Sequence, residues 1–213
     1  MGLLGLIKYL ELIAAITATY HYKKYRHTYL KYFLLILWLV AGVEWTMSLM
    51  KLMEVRFQNK FVYNALTTLQ YLYYLTLYYR FLGNKSYKKI VLFLIGMYIL
   101  ITGASFAFLQ PLTLTALFNS YSFIAGAIFL IIAIGIFFAE ILRTEKVLYF
   151  KKYLMFWVSI GLILFYAPVI PFVVSINVVS ALVVSDILLI VLFALNVITY
   201  SCFIVGFIVS KKL

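Results

Sequence analysis

Glu11, Glu44, Gln70 and Asn196 each interrupt a long apolar run close to its middle. A carboxyl group at the centre of a bilayer costs roughly 2.5–3.5 kcal/mol on insertion scales unless it is neutralised or paired, so such residues point to function. Glu44 lies in FLLILWLVAGVEWTMSLMKLM with no basic residue within a turn, which suits recognition of a cation, a proton or a polar ligand. Glu44, Ser48 and Lys51 follow helical i, i+4, i+7 spacing and form one stripe. Lys8 and Glu11 are three apart, so they share a helix face and can neutralise each other. Asn64, Thr67, Thr68, Tyr71 and Tyr78 mark a polar stripe with Gln70 beside it. Asp186 falls near the outer end of the last apolar run, and Asn196, Thr199 and Tyr200 fall around its middle. These positions predict an outward-opening pocket between the first, second, third and seventh helices. Its candidate ligand-binding residues are Lys8, Glu11, Glu44, Gln70, Tyr71, Asp186 and Asn196. The competing reading is hydrogen bonding between helices, worth about 0.6 kcal/mol per contact. That reading is favoured for Gln70, Asn196 and the threonines; for Glu44 the greater burial cost favours a ligand, and for Lys8 and Glu11 the two stand even.

Several chemistries are excluded by residue type. A retinal Schiff base needs a lysine in the middle of the last helix, where Asn196 stands instead. A zinc site needs histidines and acids at one depth, but His21 and His27 lie in a basic loop away from the carboxylates. No Ser/His/Asp set forms near Glu44, and no phosphate-cradling glycine loop is present. The one cysteine, Cys202, lies in an apolar segment and reads as a packing residue. No cofactor is expected. Catalysis is not expected either, although an acid-only mechanism on Glu11 and Glu44 stays open.

The elements that must position these residues follow from composition. The 213 residues are 67% hydrophobic and 11% charged, against about 25% charged in soluble domains. A spanning helix takes about 20 residues, so the chain predicts an all-α membrane protein, a single seven-helix transmembrane domain over residues 1–213. The expected spans are 2–20, 33–53, 61–82, 90–109, 120–139, 153–173 and 183–209. The first is read as retained, because its basic cluster follows the apolar stretch instead of preceding it. The basic residues occupy alternate connections: Lys23, Lys24, Arg26 and Lys31; Arg80, Lys85, Lys88 and Lys89; Arg143, Lys146, Lys151 and Lys152; and Lys211 with Lys212, fourteen of the eighteen. The positive-inside rule then places the C-terminus in the cytoplasm and, with seven spans, the N-terminus outside. Short basic clusters between apolar runs fit an anionic leaflet, not nucleic acid.

Other features are read structurally. Tyr78 and Tyr79 beside Arg80 are expected in an interfacial belt. Pro168 and Pro171 should kink the sixth helix and form a candidate hinge. Ser122, Gly126 and the stretch Ala133 to Gly135 suit close helix packing, and Glu140 with Arg143 suits a solvated pair. The topology resembles heptahelical receptors and opsins, and equally small-solute transporters with a three-plus-one-plus-three arrangement. The run Phe156-Trp157 … Gly161 … Phe165-Tyr166, with Glu44 and Asn64 … Gln70-Tyr71, resembles a set of uncharacterised bacterial seven-helix membrane proteins, which implies an inner-membrane location and no particular activity. The expectation is a sensory protein of the lipid bilayer, reading a small polar or cationic ligand near Glu44 and passing the signal to a cytoplasmic partner. A small-solute or proton-coupled transporter and a structural subunit of a complex, including an oligomer, are the alternatives.

Overall fold

The computed structural model describes residues 3–54, 59–109, 118–178 and 186–211, and among these every regular element is helical. A 3₁₀ turn, Leu3–Leu6, leads into α1 (Ile7–Tyr20), followed by α2 (Lys31–Leu52), α3 (Asn59–Phe81), α4 (Lys85–Ala104), α5 (Ser120–Leu142), α6 (Leu154–Val178) and α7 (Asp186–Val209). Leucine, isoleucine and phenylalanine dominate these segments, and a helix is the one local structure that satisfies every backbone polar group of an apolar run internally. Five stretches are long and apolar enough to cross a membrane: Lys31–Leu52, Lys85–Leu109, Ser120–Leu142, Leu154–Val174 and Leu189–Val209. α1 is shorter, and α3 carries Asn59, Lys60, Asn64, Thr67, Thr68 and Gln70 among its tyrosines.

α1 packs on α2 and α7, α7 along α6, α6 on α5, and α5 on α3 and α4, while α2 touches α3 only lightly. Gly206 lets α6 and α7 approach: a Cβ there would lie 2.6 Å from Cβ of Trp157. Gly126 performs the same service between α5 and α3, where a Cβ would meet the Tyr71 ring at 2.5 Å. The small-residue reading of α5 holds at Gly126 and at the buried Ala133, but a Cβ on Gly135 would meet no neighbour within 4 Å. The core is aromatic. Phe33 meets Phe203 edge-on at 5.1 Å and Phe207 at 6.0 Å, which joins α2 to α7 near the basic end.

That end is tied by polar contacts. The Lys24 ammonium donates to the Phe207 and Ile208 carbonyls at 2.9 and 2.8 Å, and desolvation there draws its pKa below the usual lysine value. The Lys211 amide donates to the Lys152 carbonyl at 3.1 Å. Glu140 does not pair with Arg143. Its carboxylate accepts from the Gly83 and Asn84 amides at 2.7 and 3.1 Å, while Arg143 donates to the Tyr87 hydroxyl at 3.0 Å. The unpaired amides ahead of a helix attract a carboxylate more strongly than a cation that water already solvates. Glu140→Ala should therefore lower stability by about 1–2 kcal/mol, read as a fall in unfolding midpoint in detergent, and Glu140→Gln should recover part of it.

Tyr78 also departs from expectation. It is fully buried, not interfacial, and its hydroxyl is 2.8 Å from Oγ of Ser159 on α6. α6 runs as one helix through Pro168 and Pro171 to Val178, beyond the expected end at residue 173. α4 ends in a wider π turn, Ser105–Leu109, which brings Ser105 into the bundle. Residues 110–117, in the connection after the fourth expected span, and the expected start of the last span at residue 183 lie outside the described residues.

Candidate functional site

α2, α3, α6 and α7 enclose a cavity of about 160 Å³ at mid-height in the bundle. α2 contributes Val40 and Glu44. α3 contributes Tyr63, Leu66, Thr67, Gln70 and Tyr74, a set spaced at three or four residues, as one helical face requires. α6 supplies Leu162, Phe165 and Tyr166, and α7 supplies Asn196, Thr199, Tyr200 and Phe203. At about 30 Å³ per water molecule the space equals about five waters, the size of a small metabolite.

Three of the expected residues therefore share one chamber: Glu44, Gln70 and Asn196, from three different helices. Glu44 is half-buried, and the Tyr63 hydroxyl lies beside it within electrostatic reach. The Asn196 amide nitrogen donates to the Leu192 carbonyl at 2.8 Å, a bond within its own helix that leaves its oxygen available. Thr199 donates to Leu195 at 2.8 Å and to Gly161 at 3.2 Å, so its hydroxyl proton is already committed to helix carbonyls.

The first helix stands one layer further back than expected, and α6 takes its place in the wall. Glu11 on α1 is 5% exposed and receives the Tyr200 hydroxyl at Oε1, 3.2 Å away, while Oε2 has no hydrogen-bond partner. Tyr200 thus has one face on the cavity and its hydroxyl on Glu11. Glu11 is also within electrostatic reach of Glu44. Lys8 does not face Glu11. Its ammonium donates to Oγ of Ser48 at 2.7 Å and lies 4.8 Å from the Trp45 ring and 5.4 Å from that of Tyr9. A cation between electron-rich ring faces and a hydroxyl is stabilised without a carboxylate.

Tyr71 is not part of the cavity wall. It is fully buried against Tyr98, Phe123 and Tyr166, with centroid separations of 5.7, 5.8 and 5.1 Å. Its hydroxyl makes no hydrogen bond of good geometry. Asp186 opens α7, but its side chain lies outside the described residues. Pro168 and Pro171 follow directly on Phe165 and Tyr166, so the helix segment lacking two amide donors adjoins the cavity.

A buried polar chain joins α3, α4 and α5. The Asn119 amide donates to Oδ1 of Asn64 at 2.9 Å, and Oδ1 of Asn119 accepts from Ser105 at 2.8 Å and from the Ser122 amide at 3.0 Å. Oγ of Ser122 continues to Thr102 at 2.8 Å and to Tyr98 at 3.2 Å. Asn119 before a Ser-x-Ser start is a helix-cap signal; its partners on α4 have no signature, because single Ser and Thr residues are common in apolar helices. This chain fixes α3, which carries five of the cavity's residues. No known protein family, no curated protein and no solved structure matches the chain, so what the site does is read from its own geometry.

Proposed function

We propose that this chain is a seven-span protein of a bacterial inner membrane, N-terminus outside and C-terminus cytoplasmic, that holds a small ligand in the mid-bundle cavity and passes its occupancy to a cytoplasmic partner. The observation that carries the reading is the convergence of Glu44, Gln70 and Asn196 on one cavity. Five helices have the length and apolar character of spans. The length of α1 with its preceding 3₁₀ turn, about 29 Å at 1.5 and 2.0 Å per residue, against the roughly 30 Å of a bilayer core, supports counting it as a further span. The orientation rests on the basic end, where Lys24, Lys152 and Lys211 sit together. In this reading a ligand changes the packing of α6 on α7 near Pro168 and Pro171, and the movement reaches the basic end along these two helices. A second reading, proton-coupled transport, is favoured by two carboxyl groups within electrostatic reach of each other and by the proline-bearing helix in the cavity wall.

The test uses purified protein in lipid nanodiscs exposed to fractions of a metabolite extract. One fraction is expected to raise the unfolding midpoint of the wild type and to leave Glu44→Gln unmoved. Equal responses of the two proteins, or none in either, would overturn ligand binding at this cavity. Accumulation of the active compound inside proteoliposomes, lost in Glu44→Gln, would replace sensing with transport; binding without accumulation supports sensing.

A further inference from the structure

The charge in the cavity wall has one sign. Glu44 is the ionisable carboxyl among the lining residues, and none of them is Lys, Arg or His. Lys8, on α1, is held at Ser48 and near the Trp45 and Tyr9 rings. Behind Tyr200 stands the second carboxyl, Glu11, with one oxygen unpartnered. An anion entering the cavity would meet the Glu44 carboxyl and no basic side chain in the wall, whereas a cation would meet a carboxyl acceptor.

Six aromatic residues share the wall with Glu44, Gln70 and Asn196. Tyr63, Tyr74, Phe165, Tyr166, Tyr200 and Phe203 present rings to a volume of about 160 Å³. A cation over such ring faces is attracted by their negative faces, most where water is excluded. A bare divalent metal is poorly served here: no group of three or more His, Cys, Asp or Glu side chains gathers among the described residues. Rings and aliphatic groups also cannot replace the water a small inorganic ion would shed. An organic cation matches both halves of the wall, its charge facing the carboxylate and its alkyl groups facing the rings.

We infer that the cavity takes a small organic cation, a protonated amine or a quaternary ammonium, with its charge against Glu44 and its alkyl body among Tyr63, Tyr74, Tyr166 and Tyr200. The inference rests on the ligand-binding reading above and names the class of ligand. Gln70 and the oxygen of Asn196 supply hydrogen bonds to a polar group carried on the same molecule.

Calorimetric titration of the protein in nanodiscs tests it with four compounds: tetramethylammonium, choline, the neutral choline isostere 3,3-dimethylbutan-1-ol, and acetate. Choline and tetramethylammonium are expected to bind, and the isostere to bind at least tenfold more weakly, a difference of about 1.4 kcal/mol. Acetate is expected to show no binding. Glu44→Gln should weaken choline by tenfold or more, and Tyr63→Leu by several-fold, each with the unfolding midpoint without ligand as the folding control. The comparison of choline with its isostere is made on wild-type protein, so it stands even if a variant does not fold. Equal affinity for the two would overturn the inference, as would choline binding that Glu44→Gln leaves unchanged or silence from both cations. In each of those cases a metabolite fraction that still stabilises wild type but not Glu44→Gln would leave ligand binding intact and remove only the cationic class. Failure of both experiments would remove the site itself.

Discussion

Tyr71→Ala is expected to destabilise the protein by about 3–5 kcal/mol, the range for removing a large buried aromatic side chain. The ring is completely buried and contacts Tyr98, Phe123 and Tyr166, so its loss opens a void on α3, α4, α5 and α6 at once. Gly126→Ala attacks the same place from the opposite side. Its new methyl group would lie 2.5 Å from the ring and force it to shift, which by overpacking costs about 1–3 kcal/mol. The two effects are coupled. In a Tyr71→Ala background the Gly126→Ala change enters vacated space and should cost little, so the double variant is more stable than the sum of the singles predicts. Reversible unfolding in mixed micelles, read by tryptophan fluorescence, measures all three. Strict additivity would mean that α3 and α5 do not meet at this point.

The second large effect is expected at Asn119. Replacing it with alanine removes Oδ1, which accepts from Ser105 and from the Ser122 amide. Both donors are then orphaned inside the bundle, at about 1–3 kcal/mol each where no water reaches them, and the N-cap of α5 is lost with them. A total loss of about 2–6 kcal/mol follows, whereas Ser105→Ala deletes a single donor and should cost about 1 kcal/mol. The same measurement ranks the two. The bond to Oδ1 of Asn64 is made by the Asn119 backbone amide, which Asn119→Ala keeps, so the loss falls on Ser105 and on the cap of α5 and not on this tie to α3. A variant as stable as wild type would show that these groups find water or alternative partners.

The helices were legible because an apolar run about 20 residues long has few structures available to it, and basic connections punctuate it. α2, α3, α5 and α7 start or end within about three residues of the expected spans. Glu44, Gln70 and Asn196 were legible for a related reason: a polar group in an apolar run is expensive, so its position is informative even without knowledge of its neighbours. α6 was harder to bound, since the apolar stretch continues past two prolines that a helix in an apolar setting tolerates.

Partner choice was not legible. Lys8 and Glu11 share a face by spacing, yet one turns to Ser48 and Trp45 and the other to Tyr200, residues 40 and 189 positions away. Glu140 and Arg143 divide in the same manner between Gly83 with Asn84 and Tyr87. Tyr71 and Tyr78 look like Tyr63 and Tyr74 in a list of residues, but only the latter two line the cavity. Which side of α3 faces α5 and which faces α2 depends on the fit of one ring over Gly126, a contact between residues 55 positions apart. Hydrophobic periodicity cannot assign those faces, because a helix surrounded by apolar neighbours has no single apolar stripe. By itself, then, the sequence determined that the chain forms long apolar helices with a few costly polar groups near their centres. Tertiary packing alone decided which of those groups meet, since steric fit and hydrogen-bond geometry between helices distant in sequence choose the partners that local spacing leaves open.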